Sequence, residues 1–322
     1  MFKVGFLGLT QKTFQSEKEK VYHKSINSLL ELSKKLDFSL IFATNLIEDK
    51  KDLENFLNKL TKEEHVDVII VQLNTFFSGL LGEEISRISL PLILWALPEP
   101  ELDNRLKWNS LCALNFIASI IKKYNPNLKF RWIYSNPDSV DDLEKSLLAL
   151  KNIKLLKNLK IGYVVGHAPG FTNLEISPNI LKDKLGVEIV YYPSIDEIIR
   201  VSENISKEEI EEEKRKIKEN CLLKVEESWL DKGIKIGLAY LKIAERDNIS
   251  AFASRCWPDF SQNLSFFPCF SFALSGERIP VSCEGDILSS VAMTMLKNLS
   301  NQPTTVLDLV YFDDNNMVFW HC

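Results

Sequence analysis

The chain has 322 residues, of which 45% are hydrophobic and 26% charged, and its formal net charge is -5 at pH 7. This length predicts about two domains with sizeable cores, and the composition is ordinary for a soluble globular protein. The negative charge, with Lys and Arg spread along the chain, argues against nucleic acid as a partner. No apolar run reaches the roughly 20 residues that cross a bilayer, so we expect no membrane association.

The first half of the sequence alternates strand-like and helix-like segments. Strands are predicted at "KVGFLGL", "FSLIFATNL", "VDVIIVQLN", "LPLILWALP" and "FRWIYSN", and helices at Tyr22 to Lys35 and at "NSLCALNFIASIIKKY". Near-continuous apolar strands separated by helices indicate a parallel sheet that is covered on both faces. The pattern therefore predicts a doubly wound α/β domain over residues 1–155.

A second alternating region follows over residues 156–302. Its predicted strands are "LKIGYVV", "VEIVYYPS" and "ISAFASRCW". A charged helix is expected to begin after Ser206, because Glu209 three residues later completes a capping box. The fold class that we predict is thus α/β, with two doubly wound, Rossmann-like domains built on parallel sheets.

The tail "TTVLDLVYFDDNNMVFWHC" predicts two strands joined by an Asp/Asn turn. A domain rarely ends on a strand that carries Trp, His and Cys, so we expect residues 303–322 to begin an incomplete, β-rich C-terminal domain. The six cysteines form no C-x-x-C pair. That scatter favours reduced thiols and a cytoplasmic location, with Cys256 and Cys283 as small buried side chains rather than nucleophiles.

Two carboxylates follow the apolar strand in "IPVSCEGDILSSVAMTMLKNL". Asp286 stands where the N-cap of the next helix belongs. Glu284 stands at the carboxyl end of the strand, where open α/β sheets bind ligands. Asp308 and His321 each end a further apolar segment. Carboxylate and imidazole groups suit a divalent metal such as Mn²⁺, although capping or solvation also accounts for single acids and histidines at strand ends.

Several motifs in a fixed order resemble the L-fucose isomerase / L-arabinose isomerase family, and most closely its diverged fucose isomerase-like branch. The most specific part runs from Arg255 to Cys322, and the "GHAPGF" turn and the "NSLCALN" helix start extend the resemblance over nearly the whole chain. The motifs in that part are "RCWPDF", "PCFSFALS", "VSCEGD", "LDLVYFD" and "NNMVFWHC".

The resemblance implies an Mn²⁺ ion, or another divalent metal, held by two acids and histidine. The first acid of the family matches Glu284 and the second matches Asp308. His321 matches a histidine that the arabinose isomerase branch uses and the fucose branch does not. A further metal-binding histidine in the family lies in a C-terminal domain that we expect to be missing from this sequence.

The resemblance also implies the reaction, which interconverts an aldose and its ketose through a cis-enediol. Glu284 and Asp308 would share the proton transfers at C1, C2 and their oxygens. The metal would stabilise the negative charge that develops on those oxygens. Family members assemble from identical chains, so we expect a homo-oligomer, either a trimer or a hexamer, with a monosaccharide substrate.

Three further residues are predicted to bind the substrate. Gln11 follows the first strand, where family members place a polar side chain against the sugar; a solvated loop residue is the alternative. Trp257 could pack on a sugar ring and Arg255 could bind hydroxyl groups, while a core position and an ion pair are the alternatives. The "GHAPGF" turn around His167 is too short for a dinucleotide-binding loop, so no such cofactor is expected.

Two other functions remain open at this point. The first is a non-catalytic sugar-binding protein, because two doubly wound domains also describe periplasmic-type binding proteins and sugar-responsive regulators. The second is an inactive fragment of an isomerase that lacks the metal-binding histidine of the C-terminal domain. A requirement for Mn²⁺ separates the isomerase from the binding protein.

Overall fold

The computed structural model describes residues 1–14, 17–102 and 105–321. The chain forms two compact units, Met1–Lys151 and Asn152–Cys322. No helix in the described chain has the length and apolar character that crossing a membrane requires. The finer division into domains at residues 1–155, 156–302 and 303–322 stays a prediction.

A five-stranded parallel sheet forms the centre of the first unit. The strands stand in the order β2-β1-β3-β4-β5. Their bounds are β1 Lys3–Leu9, β2 Ser39–Phe42, β3 Val68–Leu73, β4 Leu92–Ala96 and β5 Phe130–Tyr134. The helices are α1 Lys18–Leu36, α2 Lys50–Asn58 with a π-helical turn at Lys59–Glu63, α3 Gly79–Ser86, α4 Ser110–Tyr124 and α5 Asp141–Leu156.

Both faces of this sheet are covered by helices, as the sequence predicts. Side chains alternate between the faces of a strand, so on β4 Leu92 and Leu94 pack with helices α2, α3 and α4, whereas Ile93 and Trp95 pack with α1 and α5. Trp95 is completely buried, and its indole N–H donates to the backbone oxygen of Ser135 at 3.1 Å. The doubly wound architecture of the first unit is therefore confirmed.

A four-stranded parallel sheet forms the centre of the second unit, in the order β7-β6-β8-β9. Its strands are β6 Lys160–Val164, β7 Glu188–Tyr192, β8 Ala251–Ser254 and β9 Val281–Ser282. The helices are α6 Pro178–Leu185, α7 Asp196–Glu203, α8 Lys207–Asn220, α9 Glu227–Asp247, α10 Asp259–Leu264, α11 Cys269–Gly276 and α12 Ile287–Ser300, with 3-10 turns at Thr172–Leu174 and Cys283–Gly285.

Helices cover both faces of this second sheet as well. On β8, Phe252 packs with α7, α9 and α11, while the next residue, Ala253, packs with α6 and α12. The capping box before α8 is confirmed, since Glu209 N–H donates to Ser206 Oγ at 3.2 Å and Ser206 N–H donates to the Glu209 carboxylate at 3.0 Å. Strand β9 is shorter than the apolar run from Ile279 predicts, because the chain turns at Cys283.

The tail forms an antiparallel hairpin of β10 Asp308–Phe312 and β11 Met317–Trp320. The turn is held by the Asp313 carboxylate, which accepts the backbone N–H groups of Asn315 and Asn316 at 2.9 and 2.8 Å. The two strands are confirmed, but a third β-rich domain is not. The large apolar side chains of the hairpin are exposed, from 42% for Val318 to 70% for Phe312.

Asp286 is the N-cap of α12, which confirms the structural role predicted for it. Its Oδ1 accepts the Ser289 backbone N–H at 2.9 Å, and its Oδ2 accepts the Ser289 hydroxyl at 2.6 Å. These bonds satisfy donors at the helix start that have no partner within the helix.

Replacing this cap is expected to destabilise the second unit. Asp286→Ala should lower the free energy of unfolding by about 1 kcal/mol, the usual value for a lost N-cap. Asp286→Asn keeps an acceptor oxygen and should retain most of that stability. Urea unfolding of both variants measures the difference, and equal stability of Asp286→Ala and wild type would contradict the prediction.

Candidate functional site

The carboxyl edge of the second sheet has the geometry of a ligand-binding crevice. The chain passes from β6 to β7 on one side and returns to β8 on the other side of β6. Such a change of direction leaves a crevice at the carboxyl ends of the two central strands, which is where open α/β sheets bind ligands. Segment 165–170 follows β6 at this edge, and segment 255–258 follows β8.

Two turns meet at this edge. The Ala168 backbone N–H donates to the backbone oxygen of Glu284 at 2.8 Å. Glu284 has φ 60° and Gly285 has φ 76°, so both lie in the left-handed region. A Cβ on Gly285 would stand 2.1 Å from the backbone oxygen of Gly166. Only glycine fits at position 285, and the close approach of the two backbones fixes where Glu284 lies.

Glu284 is half-buried at this edge. Within the described ranges its carboxylate makes no hydrogen bond or ion pair. A left-handed conformation of a residue other than glycine costs about 1–3 kcal/mol, and partial burial of an unpaired charge adds to that cost. Both costs occur at one residue, which is the pattern expected of a residue placed for function rather than for stability.

Arg255 is bound by a nearby carboxylate. Its Nε and Nη2 donate to the two oxygens of Asp259 at 2.5 and 2.8 Å, and this pairing raises the pKa of the guanidinium. Its Nη1 lies 3.5 Å from the backbone oxygen of His167. The ion pair considered for Arg255 is therefore present, and it holds the guanidinium beside the turn that follows β6.

Trp257 is neither fully buried nor fully exposed. It is half-buried and packs against the core cluster of β8. Its ring meets the ring of Phe171 edge to face, with centroids 6.3 Å apart at 73°. The peptide bond between Trp257 and Pro258 is cis. The structure thus shows the core packing, and the role of Trp257 in sugar binding stays a prediction.

His167 lies at the same edge, although sequence reasoning gave it no role. Its Nδ1 is 2.9 Å from the backbone oxygen of Ala168, and its Nε2 is 3.6 Å from Glu175 Oε1. The sequence signal was available, since His167 lies two residues after the predicted strand "LKIGYVV". It places an imidazole ring on the turn whose Ala168 N–H contacts the Glu284 backbone.

Asp308 and His321 come together at the base of the hairpin. Asp308 pairs with Trp320 across the strands, so His321 lies next to it, with Nδ1 3.9 Å from Asp308 Oδ2. The apolar run before Asp308 is not a strand, because Asp308 begins β10. Its side chain is 70% exposed, whereas the Nδ1 atom of His321 is buried without a hydrogen-bond partner.

A cavity of about 280 Å³ connects the hairpin base with the end of β9. His321 and Cys283 both line it, and Cys283 is the residue before Glu284. This volume is near the lower limit for a small-molecule pocket. The other walls come from Cys269, Phe272, Ala273, Gly276, Val281, Met293 and residues 303–306.

The structure brings two of the three predicted metal ligands together. Asp308 and His321 are neighbours, whereas Glu284 does not join them: across residues 1–14, 17–102 and 105–321, no three His, Cys, Asp or Glu side chains form a group that could hold a metal ion. Carboxylate oxygen and imidazole nitrogen are donors that Mn²⁺ accepts. The described residues therefore fit such an ion in part, with two donors in place.

Gln11 lies at the carboxyl edge of the sheet in the first unit. That sheet also changes direction, between β1 and β3. The Gln11 backbone N–H donates to Thr75 Oγ1 at 3.0 Å, and the hydroxyls of Thr10 and Thr75 lie 3.1 Å apart. The position of Gln11 thus agrees with a ligand-binding edge, while its contact with substrate stays a prediction.

Asn74 is a residue that sequence reasoning missed at this edge. It follows β3 directly and is 1% exposed, and neither its side-chain nitrogen nor its oxygen has a hydrogen-bond partner. Buried polar groups without partners are rare in folded proteins. The rule that ligands meet parallel sheets at their carboxyl edges, applied to "VIIVQLNT", would have identified it.

Sequence comparison relates the chain over nearly its whole length to proteins named sulfoquinovose isomerase. The one from Priestia aryabhattai is 27% identical over 326 residues, which cover 98% of this chain and 72% of that protein. The one from Alkalicoccus urumqiensis is 27% identical over 330 residues, which cover 100% of this chain and 73% of that protein. No protein-family model matches the chain.

Among solved structures, an azoreductase from Bacillus anthracis matches 47% of this chain at 12% identity with a TM-score of 0.26, which is too low to support a comparison. The named relatives support an isomerase, that is, an intramolecular oxidoreductase, for this chain. They support the sugar isomerase class of the sequence-based resemblance, whereas membership of the fucose and arabinose isomerase family stays a prediction.

The contact between the two turns generates a stability prediction. Gly285→Ala should lower the free energy of unfolding by about 3 kcal/mol, because it combines left-handed strain with a backbone clash. Gly170→Ala is the matched control, since Gly170 has φ 86° but nothing within 4 Å of an added Cβ. It should cost only the strain, about 1–2 kcal/mol. Equal losses in urea unfolding would show that the clash is relieved without cost.

Proposed function

We propose that this chain is an aldose–ketose isomerase of carbohydrate metabolism, and that its substrate is a monosaccharide with an anionic group, such as the sulfonated hexose sulfoquinovose. The observation that carries the proposal is the match of 98–100% of the chain to proteins named sulfoquinovose isomerase. Glu284 supports it, as a half-buried residue at the carboxyl edge of the second sheet whose carboxylate has no partner among the described residues.

In the proposed reaction Glu284 and Asp308 share the proton transfers. A carboxylate removes the proton from C2 of the aldose and returns it to C1, while a proton moves from the oxygen on C2 to the oxygen on C1. The substrate passes through a cis-enediol and no atom is gained or lost. The two carboxylates act as general acid and base in these steps, a contribution of about 10²–10⁴-fold to the rate.

We further propose a divalent cation, with Mn²⁺ as the first choice, held by the neighbouring Asp308 and His321. Glu284 is proposed as a third ligand that would have to move toward them to complete the site. The buried, unpartnered Nδ1 of His321 beside the Asp308 carboxylate supports this choice of ligands. When bound, such an ion supplies positive charge that stabilises negative charge on substrate oxygens. The side chains of Gln11, Arg255 and Trp257 are proposed to orient the sugar through hydroxyl contacts and ring packing.

The test is turnover of an aldose panel that includes sulfoquinovose, followed by NMR in D₂O. The full chain with added Mn²⁺ should convert at least one aldose to its ketose, with solvent deuterium appearing at C1 or C2. EDTA should abolish conversion and Mn²⁺ should restore it. Glu284→Gln and Asp308→Asn should each lower kcat by about 10²-fold or more and should weaken Mn²⁺ binding in calorimetry.

Asp314→Asn is the matched control, because Asp314 is an exposed carboxylate in the turn of the same hairpin. It should keep wild-type turnover and Mn²⁺ affinity. Sugar that binds without conversion, unchanged by EDTA, would overturn the proposal in favour of a sugar-binding protein. A chain that binds neither sugar nor Mn²⁺ would support the inactive isomerase fragment.

We also propose that the chain assembles with copies of itself as a trimer or hexamer through the β10–β11 hairpin. A hairpin of two strands is marginally stable in water when nothing covers it. Large contiguous apolar patches usually mark interaction surfaces. The hairpin has eight exposed apolar side chains, and Leu307 just before it adds a ninth: Leu309, Val310, Tyr311, Phe312, Met317, Val318, Phe319 and Trp320.

Light scattering after size-exclusion chromatography should therefore give a mass above that of one chain. Phe312→Glu places a charge on the most exposed hairpin ring and should shift the mass toward the monomer. Leu222→Glu is the control, since Leu222 is 85% exposed outside the hairpin, and it should leave the mass unchanged. A wild-type monomer at all concentrations would contradict the assembly.

A further inference from the structure

Two cysteine side chains meet at the carboxyl edge of the second sheet. Cys256 follows β8 by two residues and Cys283 follows β9 directly. The two strands are parallel neighbours, with Ala253 opposite Ser282. The Sγ atoms of the cysteines are 3.0 Å apart, and a disulfide requires about 2.05 Å. Closing the bond therefore needs a movement of about 1 Å at the ends of adjacent strands.

One cysteine of this pair is buried, and the other lines a cavity. Cys256 is buried, with 3% of its surface exposed. Cys283 is half-buried and lines the cavity of about 280 Å³ at the hairpin base. A small oxidant can therefore reach Cys283 from the cavity, whereas Cys256 does not line it. This access departs from the sequence-based expectation that both cysteines are buried and neither is a nucleophile. Cys112 and Cys221 are exposed elsewhere on the chain, which makes them references for general surface oxidation.

We propose that Cys256 and Cys283 are a site of reversible oxidative modification, a dithiol that hydrogen peroxide converts to an intramolecular disulfide. The Cys283 sulfur attacks one peroxide oxygen, the O–O bond breaks, and a sulfenic acid and water form. The Cys256 sulfur then attacks the Cys283 sulfur, the S–O bond breaks, and a second water leaves. The two thiols lose two electrons in total, one peroxide gains them, and a dithiol reductant reverses the change.

Disulfide formation should affect the candidate site because Cys283 directly precedes Glu284 in the chain. The Glu284 backbone oxygen accepts the Ala168 N–H, so the turn at Glu284 is fixed on that side. A displacement of Cys283 on disulfide formation would therefore strain this turn and shift the position of Glu284. Oxidation should therefore lower turnover at least tenfold, and reduction should restore it. This effect on turnover rests on the proposed function, whereas formation of the bond does not.

The first experiment maps the bond in the full chain with Cys112, Cys221 and Cys322 replaced by Ser. After treatment with hydrogen peroxide, remaining thiols are blocked with iodoacetamide and the digest is read by mass spectrometry. We expect a peptide pair linked through Cys256 and Cys283, two fewer blocked thiols per chain, and full recovery after dithiothreitol. Circular dichroism before treatment confirms that each variant is folded.

Two variants test whether Cys283 forms its disulfide with Cys256 or with Cys269. Cys256→Ser, or Cys256→Ala if the serine does not fold, should give no linked peptide. Cys269→Ser should keep the bond, although Cys269 lines the same cavity. A bond between Cys269 and Cys283 would overturn the proposal, and so would irreversible oxidation of Cys283 without a bond.

Unmodified Cys256 and Cys283 in the wild-type chain, under peroxide that oxidises Cys112 and Cys221, would also overturn the proposal. The peptide map is independent of catalysis, so its result stands if no sugar is turned over. A mapped bond with unchanged turnover would reject only the link between the dithiol and Glu284.

Discussion

The geometry of the second unit depends on the close approach of two backbones, where Gly285 meets Gly166. The space for a side chain is absent there, and the hydrogen bond from Ala168 to Glu284 closes the contact. Because the constraint acts on main-chain atoms, it sets the position of Glu284 without using its side chain. The carboxylate is left with its oxygens available, in a conformation that a sequence selected only for stability would avoid.

Parallel sheets explain why the candidate residues gather at edges. In both units the central strands bury mostly apolar side chains on two faces, so few polar side chains lie along them. Polar side chains appear where the strands stop, at Gln11 and Asn74 in the first unit and at Arg255 and Glu284 in the second. The same rule places Cys256 beside Cys283, because adjacent parallel strands end at the same level.

Much of this arrangement follows from the sequence. Alternating apolar strands and helices predicted both doubly wound units, and the N-cap of Asp286 and the capping box of Ser206 were readable from local spacing. The approach of Cys256 to Cys283 was not readable, since it depends on β8 and β9 being neighbours across 27 residues of chain. The exposure of Asp308 was missed for a related reason: an apolar run predicts a strand but does not say what covers it.

The three predicted metal ligands are brought together only in part. The motifs predicted Glu284, Asp308 and His321 as a set, and the structure brings Asp308 and His321 together through hairpin pairing. Hairpin pairing is local and is encoded in the turn at Asp313. The distance from Glu284 to that hairpin is set by packing between elements that local patterns do not specify.

The exposed hairpin has a consequence for how the protein behaves in concentrated solution. Each of its two strands has an outer edge whose N–H and C=O groups are available to another strand, and segments such as "LVYF" and "MVFW" have high β-propensity and no charge. Asp313 and Asp314 in the turn act as charged gatekeepers against strand addition. We therefore expect association at high concentration to begin at this short segment, despite the overall net charge of -5, and to vary with whatever covers the hairpin.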